Sequence, residues 1–224
     1  MTRARVRQRL RGLLILAVLL AIALAAGLAL GAALPRADLL GDRIPRVALD
    51  AYLNAEALAP DIAAGCAVPW PVIAAIGRVE SNHGRIHGPR RLAANGDVTP
   101  PIRGPALDGT RGTSAIADTD DGELDGDTTW DRALGPLQFI PTTWLELGRD
   151  GNADGIADPD NMYDAALTGA AHLCVREPGN YDDPVDLRRA LIAYNRSSAY
   201  ADDVLVWIDR YRDSSPEEIV VPSG

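Results

Sequence analysis

The chain of 224 residues contains no lysine; all 22 basic side chains are arginine. We read this as base-composition bias in the coding sequence, without functional content. Aromatics are scarce at 5%, with a single phenylalanine, Phe139, so a packed interior must be aliphatic. Only two cysteines occur, Cys66 and Cys174, with no His-rich cluster beside them, which excludes a cysteine-based zinc site. Positive charge is also short: 22 Arg stand against 31 acids, a formal charge of −9. Five Arg (Arg3, Arg5, Arg7, Arg9, Arg11) precede Leu13, leaving −14 for everything after them. So acidic a body repels phosphate backbones, and nucleic acid drops out as a partner.

Apolar residues make up 47% of the chain, ample for one core plus appendages. The longest run, Leu13–Leu34, is 22 residues without a charge. At helical rise it spans a hydrocarbon core of about 30 Å. The Arg-rich stub 1–12 would stay cytoplasmic and residues 35 onward would lie outside, on a single-pass anchor. A signal peptide cleaved near Gly31-Ala32-Ala33 is the alternative, giving a secreted body. Either way the body is exported, and an oxidising compartment lets Cys66 and Cys174 join; two buried free thiols are the other reading.

Within the body, 35–46 reads as a linker, 47–213 as the folded domain and 214–224 as a flexible, fraying tail. Helical spacing predicts helices from Val47 to Ala59 and from Pro69-Trp70-Pro71 to Gly84, which would cap the second. Further helices run from Pro141 to about Gly148, Tyr163 to Glu177, Pro184 to Asn195 and Ala199 to Arg212. Asp183-Pro184 and Ser198 are start signals, and Val185, Leu187, Leu191, Ile192 and Tyr194 form an inward stripe. Residues 85–130, rich in Gly, Pro and Asp, read as a long irregular insertion. No alternating strand stands out, so the fold class is mainly α. His83 and His87 are loop residues, because Gly84 interrupts the helix that a metal-binding pair at this spacing needs.

Asp150-Gly-Asn152-Ala-Asp154-Gly155-Ile156 reproduces the first half of a helix–loop–helix calcium loop. Side-chain oxygens stand at positions 1, 3 and 5, glycine at 6, and a backbone carbonyl at 7, from Ile156. Position 12 is Asn161 instead of Glu, and Asp164 could supply the missing carboxylate from an enlarged loop. A structural Ca²⁺ is the expectation; an acidic solvated turn is the alternative. Asp118, Asp120, Asp121, Asp125 and Asp127 fit no cation template and read as solvated charge.

Three segments remain: Glu80-Ser81 at a helix end, Gly135-Pro136-Leu137-Gln138-Phe139-Ile140-Pro141, and Ala193-Tyr194-Asn195. In this order and separation they resemble the lysozyme-like lytic murein transglycosylases, most nearly the membrane-bound lytic murein transglycosylase B type. The resemblance runs from about Trp70 to Tyr211, and that family also carries a calcium loop like Asp150–Ala165. It implies a lysozyme-like domain acting on peptidoglycan glycan strands, with Glu80 as single general acid and base. It implies sugar contacts from Gln138 and Asn195, and a cleft lining of Phe139 and Tyr194. Ser81 would bond near the acid, Tyr194 would steady the oxocarbenium-like state or orient Glu80, and Trp130 and Tyr163 are candidates for sugar stacking, with a place in the core as the alternative for each. The 85–130 insertion departs from the family pattern. A hydrolytic muramidase and a non-catalytic, calcium-stabilised wall-binding protein are the competing functions.

Overall fold

The computed structural model describes residues 43–86, 90–110 and 112–220. The stub, the apolar run, most of the linker, His87 and residues 221–224 lie outside the described residues. None of the helices described is long and apolar enough to cross a membrane.

Helix α1 (Arg46–Ile62) turns Ala48, Leu49, Ala51, Tyr52, Ala55 and Ala59 inward, the three-to-four spacing of one helix face. Pro60 lies in its last turn, where the missing N–H costs a single bond, and the helix stops two residues later. Helix α2 (Trp70–Ser81) begins after Pro69, with Pro71 in its first turn, and buries Pro71 through Gly77 without a break. A segment apolar all round sits in the middle of the fold. At Gly77 a Cβ would stand 2.2 Å from the Tyr52 hydroxyl, so glycine is what lets α1 close onto α2. Asn82 in the left-handed region caps α2, its N–H returning to the Arg78 and Gly77 carbonyls; the cap predicted at Gly84 comes two residues early.

The insertion is mostly turns and bends, in keeping with an irregular excursion, and short strands that the sequence did not reveal tie it together. Strands β1 (Arg91–Leu92) and β2 (Val98–Thr99) pair antiparallel, as do β3 (Arg103–Ala106) and β4 (Arg132–Leu134), the latter pair with a register shift. Bridges Asp108↔Ala115 and Ala117↔Trp130 carry pairing further into the connection. At two to four residues, these strands are too short to display alternation. The aspartates between them accept from backbone N–H groups two to four residues on: Asp108 from Thr110, Asp118 from Gly122 and Asp127 from Thr129.

Helices α3 (Pro141–Leu147), α4 (Met162–Arg176), α5 (Pro184–Asn195) and α6 (Ser198–Arg212) follow, so the domain is mainly α with four short strands. Asp183 caps α5 as predicted, whereas α6 is capped by Ser197 and not Ser198. Leu187 and Leu191 of the α5 stripe are buried, but Val185 is 70% exposed. Helix α4 buries Ala165, Ala166, Ala170 and Ala171 and packs on α1, while a Cβ at Gly169 would stand 2.7 Å from Leu137. Cys66 before α2 and Cys174 on α4 are joined as a disulfide.

Both predicted domain edges move outward. Ile44 is fully buried and donates its N–H to Ile219, so the domain starts before residue 47. Helix α7 (Pro216–Ile219) opens with a Ser215/Glu218 capping box. Val220 then forms a parallel bridge with Ile44.

Candidate active site

Glu80 is the penultimate residue of α2. Burial pushes its carboxyl up to about 7, against the opposing effects of the Tyr200 hydroxyl and the Asn195 amide. Part of the residue remains accessible, so the acid is desolvated without being sealed off. Such a carboxyl can hold a proton at neutral pH and still exchange it, which general acid–base chemistry requires.

The three motif segments meet at this residue. Ser81 donates to the Pro136 carbonyl at 2.6 Å and accepts from the Gly84 N–H at 2.7 Å. Tyr194 donates to the Leu137 carbonyl at 3.1 Å, and its own acidity is weakened by burial and then by Glu80. Asn195 reaches Glu80 itself. The turn between β4 and α3 is thereby tied to the ends of α2 and α5. Within it Leu134 and Phe139 exchange backbone bonds, and Gln138 takes φ 55, unusual for a side-chain-bearing residue, with Nε2 on the Gly135 carbonyl at 2.8 Å. Gly135 has φ 68, and a Cβ there would lie 1.7 Å from the Pro159 carbonyl oxygen, so only glycine fits.

Ser81 is fully buried with its hydroxyl committed to backbone, so it fixes the turn against the end of α2. Phe139 is 3% exposed and supports Tyr194 from below at 6.0 Å between ring centres. Gln138 is part-exposed and Asn195 exposed, so both are open to a ligand. Tyr163 and Trp130 are placed by contacts unrelated to Glu80. Tyr163 donates to Asp50 at 2.7 Å and lines a separate cavity of about 670 Å³ with Asn54, Asn95 and Asn152. Trp130 belongs to the paired connection between β3 and β4.

Sequence reasoning passed over Tyr200 and His172. Tyr200 stacks on Tyr194 at 6.1 Å with planes 2° apart, and its buried hydroxyl, without a well-aligned partner, bears on Glu80 at close range. His172 meets Tyr194 edge-on at 4.8 Å. Burial and then Arg176 bring it down to about 4, so it stays neutral at physiological pH. The one available signal for it was a histidine inside the small-residue face of α4. His83, expected in a loop, does leave the helix, but it is fully buried between the Tyr52 and Tyr211 hydroxyls at 3.0 Å each.

In the acidic loop, Asp150 accepts from Asp154 and Gly155, Asn152 from Asp154, and Asp154 from Ile156. Asp164 is fully buried and closes the loop through the N–H groups of Gly151, Asn152 and Asp158. Its acidity is weakened by burial despite those bonds. An all-oxygen donor set around a desolvated carboxylate suits a hard cation. A second acidic group stands in the insertion. Among the described residues Asp118, Asp120 and Asp131 bring one oxygen each within 4.8 Å of one another, and Asp120 Oδ1 is buried without a partner. Cross-strand folding, not sequence spacing, assembles that triad.

No family model matches the chain, and neither a curated protein nor a solved structure does.

Proposed function

We propose that this domain is a lytic transglycosylase of lysozyme-like kind, cleaving the MurNAc–GlcNAc β-1,4 bond of peptidoglycan with Glu80 as its one acid and base. The observation that carries the reading is Glu80, with its acidity brought to about 7, at the point where the Glu-Ser, Gly-Pro-Leu-Gln-Phe and Ala-Tyr-Asn segments interlock.

Glu80 donates its proton to the glycosidic oxygen as the bond to the MurNAc anomeric carbon breaks. The MurNAc 6-hydroxyl then attacks that carbon, and its proton returns to Glu80, closing a 1,6-anhydro ring. Water enters no bond. A hydrolase needs a second carboxylate about 5–9.5 Å from the first. The side chains that tune Glu80 here are a phenol and an amide, which suits the anhydro route. Tyr194 and Tyr200 present oxygen-bearing rings beside the acid, suited to an oxocarbenium-like state, and Gln138 and Asn195 offer amides to sugar hydroxyl or acetamido groups. Asp150, Asn152, Asp154, the Ile156 carbonyl and Asp164 would hold a structural Ca²⁺, which supplies loop rigidity and no chemistry. The setting is the outer face of the cell membrane.

Digesting purified sacculi with the wild-type and Glu80→Gln proteins and weighing the muropeptides tests the reading. Anhydro ends from wild type and none from the variant are expected. Ends heavier by one water would make it a muramidase, and binding without turnover a wall-binding module.

A further inference from the structure

On the other side of α2 from Glu80 stand two guanidinium groups, those of Arg78 and Arg85. Arg78 precedes Glu80 by two residues and so lies across the helix from it. Arg78 and Arg85 both donate to one neutral acceptor, Oδ1 of Asn82. Arg85 also donates to the carbonyls of Asn82 at 2.9 Å and Arg43 at 2.8 Å. Among the described residues neither guanidinium meets a carboxylate. Arg78 lies over the part-exposed Trp207 ring at 4.3 Å and Arg210 over the same ring at 4.7 Å. Trp207 packs on Tyr211, and Tyr211 on Trp70. In a body carrying −14, two neighbouring guanidinium groups that meet no carboxylate, Arg78 and Arg85, are an exception that calls for an anion.

The chain itself indicates which anion. Arg43, in contact with Arg85, follows the end of the apolar run at Leu34 by eight intervening residues, at most about 30 Å of extended chain. Tryptophan at headgroup depth with arginine on phosphate is a recurring pairing at bilayer surfaces. We propose that the Arg78–Arg85–Trp207 face docks on the phosphate headgroups of an anionic phospholipid surface. The choice of a membrane rests on reading Leu13–Leu34 as an anchor; it does not depend on what Glu80 does.

The test mixes the full chain with vesicles of phosphatidylcholine alone, or with phosphatidylglycerol added, using acyl-brominated lipids. Flotation with neutral vesicles reports the apolar run. Trp207 quenching, taken as wild type minus Trp207→Phe, reports the face. It is expected with anionic vesicles only, and is to vanish at high salt and in Arg78→Gln/Arg85→Gln. If the chain does not float with neutral vesicles, its anionic flotation is still to fall about thirtyfold in the double variant. Equal quenching in both vesicles, or quenching unchanged in the double variant, overturns the proposal. So does an equal response of Trp207 to inorganic phosphate alone. Should the double variant lose its circular-dichroism spectrum, the salt dependence of wild-type quenching decides by itself.

Discussion

In the proposed reaction Glu80 ties stability and activity to the same proton. Its carboxyl is raised from the ordinary 4.5 to about 7, so the folded state binds a proton that the unfolded chain releases. Below pH 4.5 both states are protonated and the group costs nothing. Stability declines as pH rises from there, and the full cost, about 3 kcal/mol, is reached above the folded value. Glu80→Gln is therefore expected to raise the melting temperature at pH 8 and leave it unchanged at pH 4, as read by calorimetry. Turnover needs the protonated form and should fall through about pH 7. The Tyr200 hydroxyl lowers the Glu80 value, so Tyr200→Phe should move the falling limb of the pH–rate profile to higher pH. A limb that stays in place would leave Tyr200 as packing alone. Glu80 was legible in the sequence because its neighbours are contiguous motif residues. Tyr200 and His172 were not, because their closeness to Tyr194 comes from how α4, α5 and α6 pack.

At the scale of elements, the turn after β4 depends on two residues with no chemical part. Gly135→Ala would force a Cβ onto the Pro159 carbonyl at a positive φ, costing at least about 2 kcal/mol in urea unfolding. Ser81→Ala would leave the Pro136 carbonyl and Gly84 N–H without their partner, a loss of about 1–3 kcal/mol, and activity should fall with the displaced turn. Helices α1 to α6 were readable within a few residues, since three-to-four periodicity and proline starts are local signals. The hairpins of the insertion were not. Their hydrogen bonds join residues such as Arg103 and Leu134, and their aspartates serve backbone turns that composition cannot distinguish from solvated charge.

For the whole molecule, the disulfide spans 108 residues of sequence and ties the segment before α2 to α4. Reduction should cost about 4–5 kcal/mol by loop-closure entropy, seen as a lower denaturant midpoint with dithiothreitol. Chelation by EGTA should lower the melting temperature if Asp150–Asp164 holds Ca²⁺, and an unchanged value would remove the metal from the loop. By itself the sequence determined the helical class, the acidic body behind a basic stub and the one cysteine pairing open to it, whereas Glu80 was singled out by the resemblance of its motifs. The first three follow from composition and local periodicity, which need no knowledge of neighbours. Only the tertiary structure decided that Ser81 is a brace, that Tyr200 sits beside Glu80, and that Asp131 comes up against Asp118 and Asp120. It also showed how far burial raises one carboxyl. Desolvation and cross-element contact are properties of packing, and no stretch of chain carries them alone.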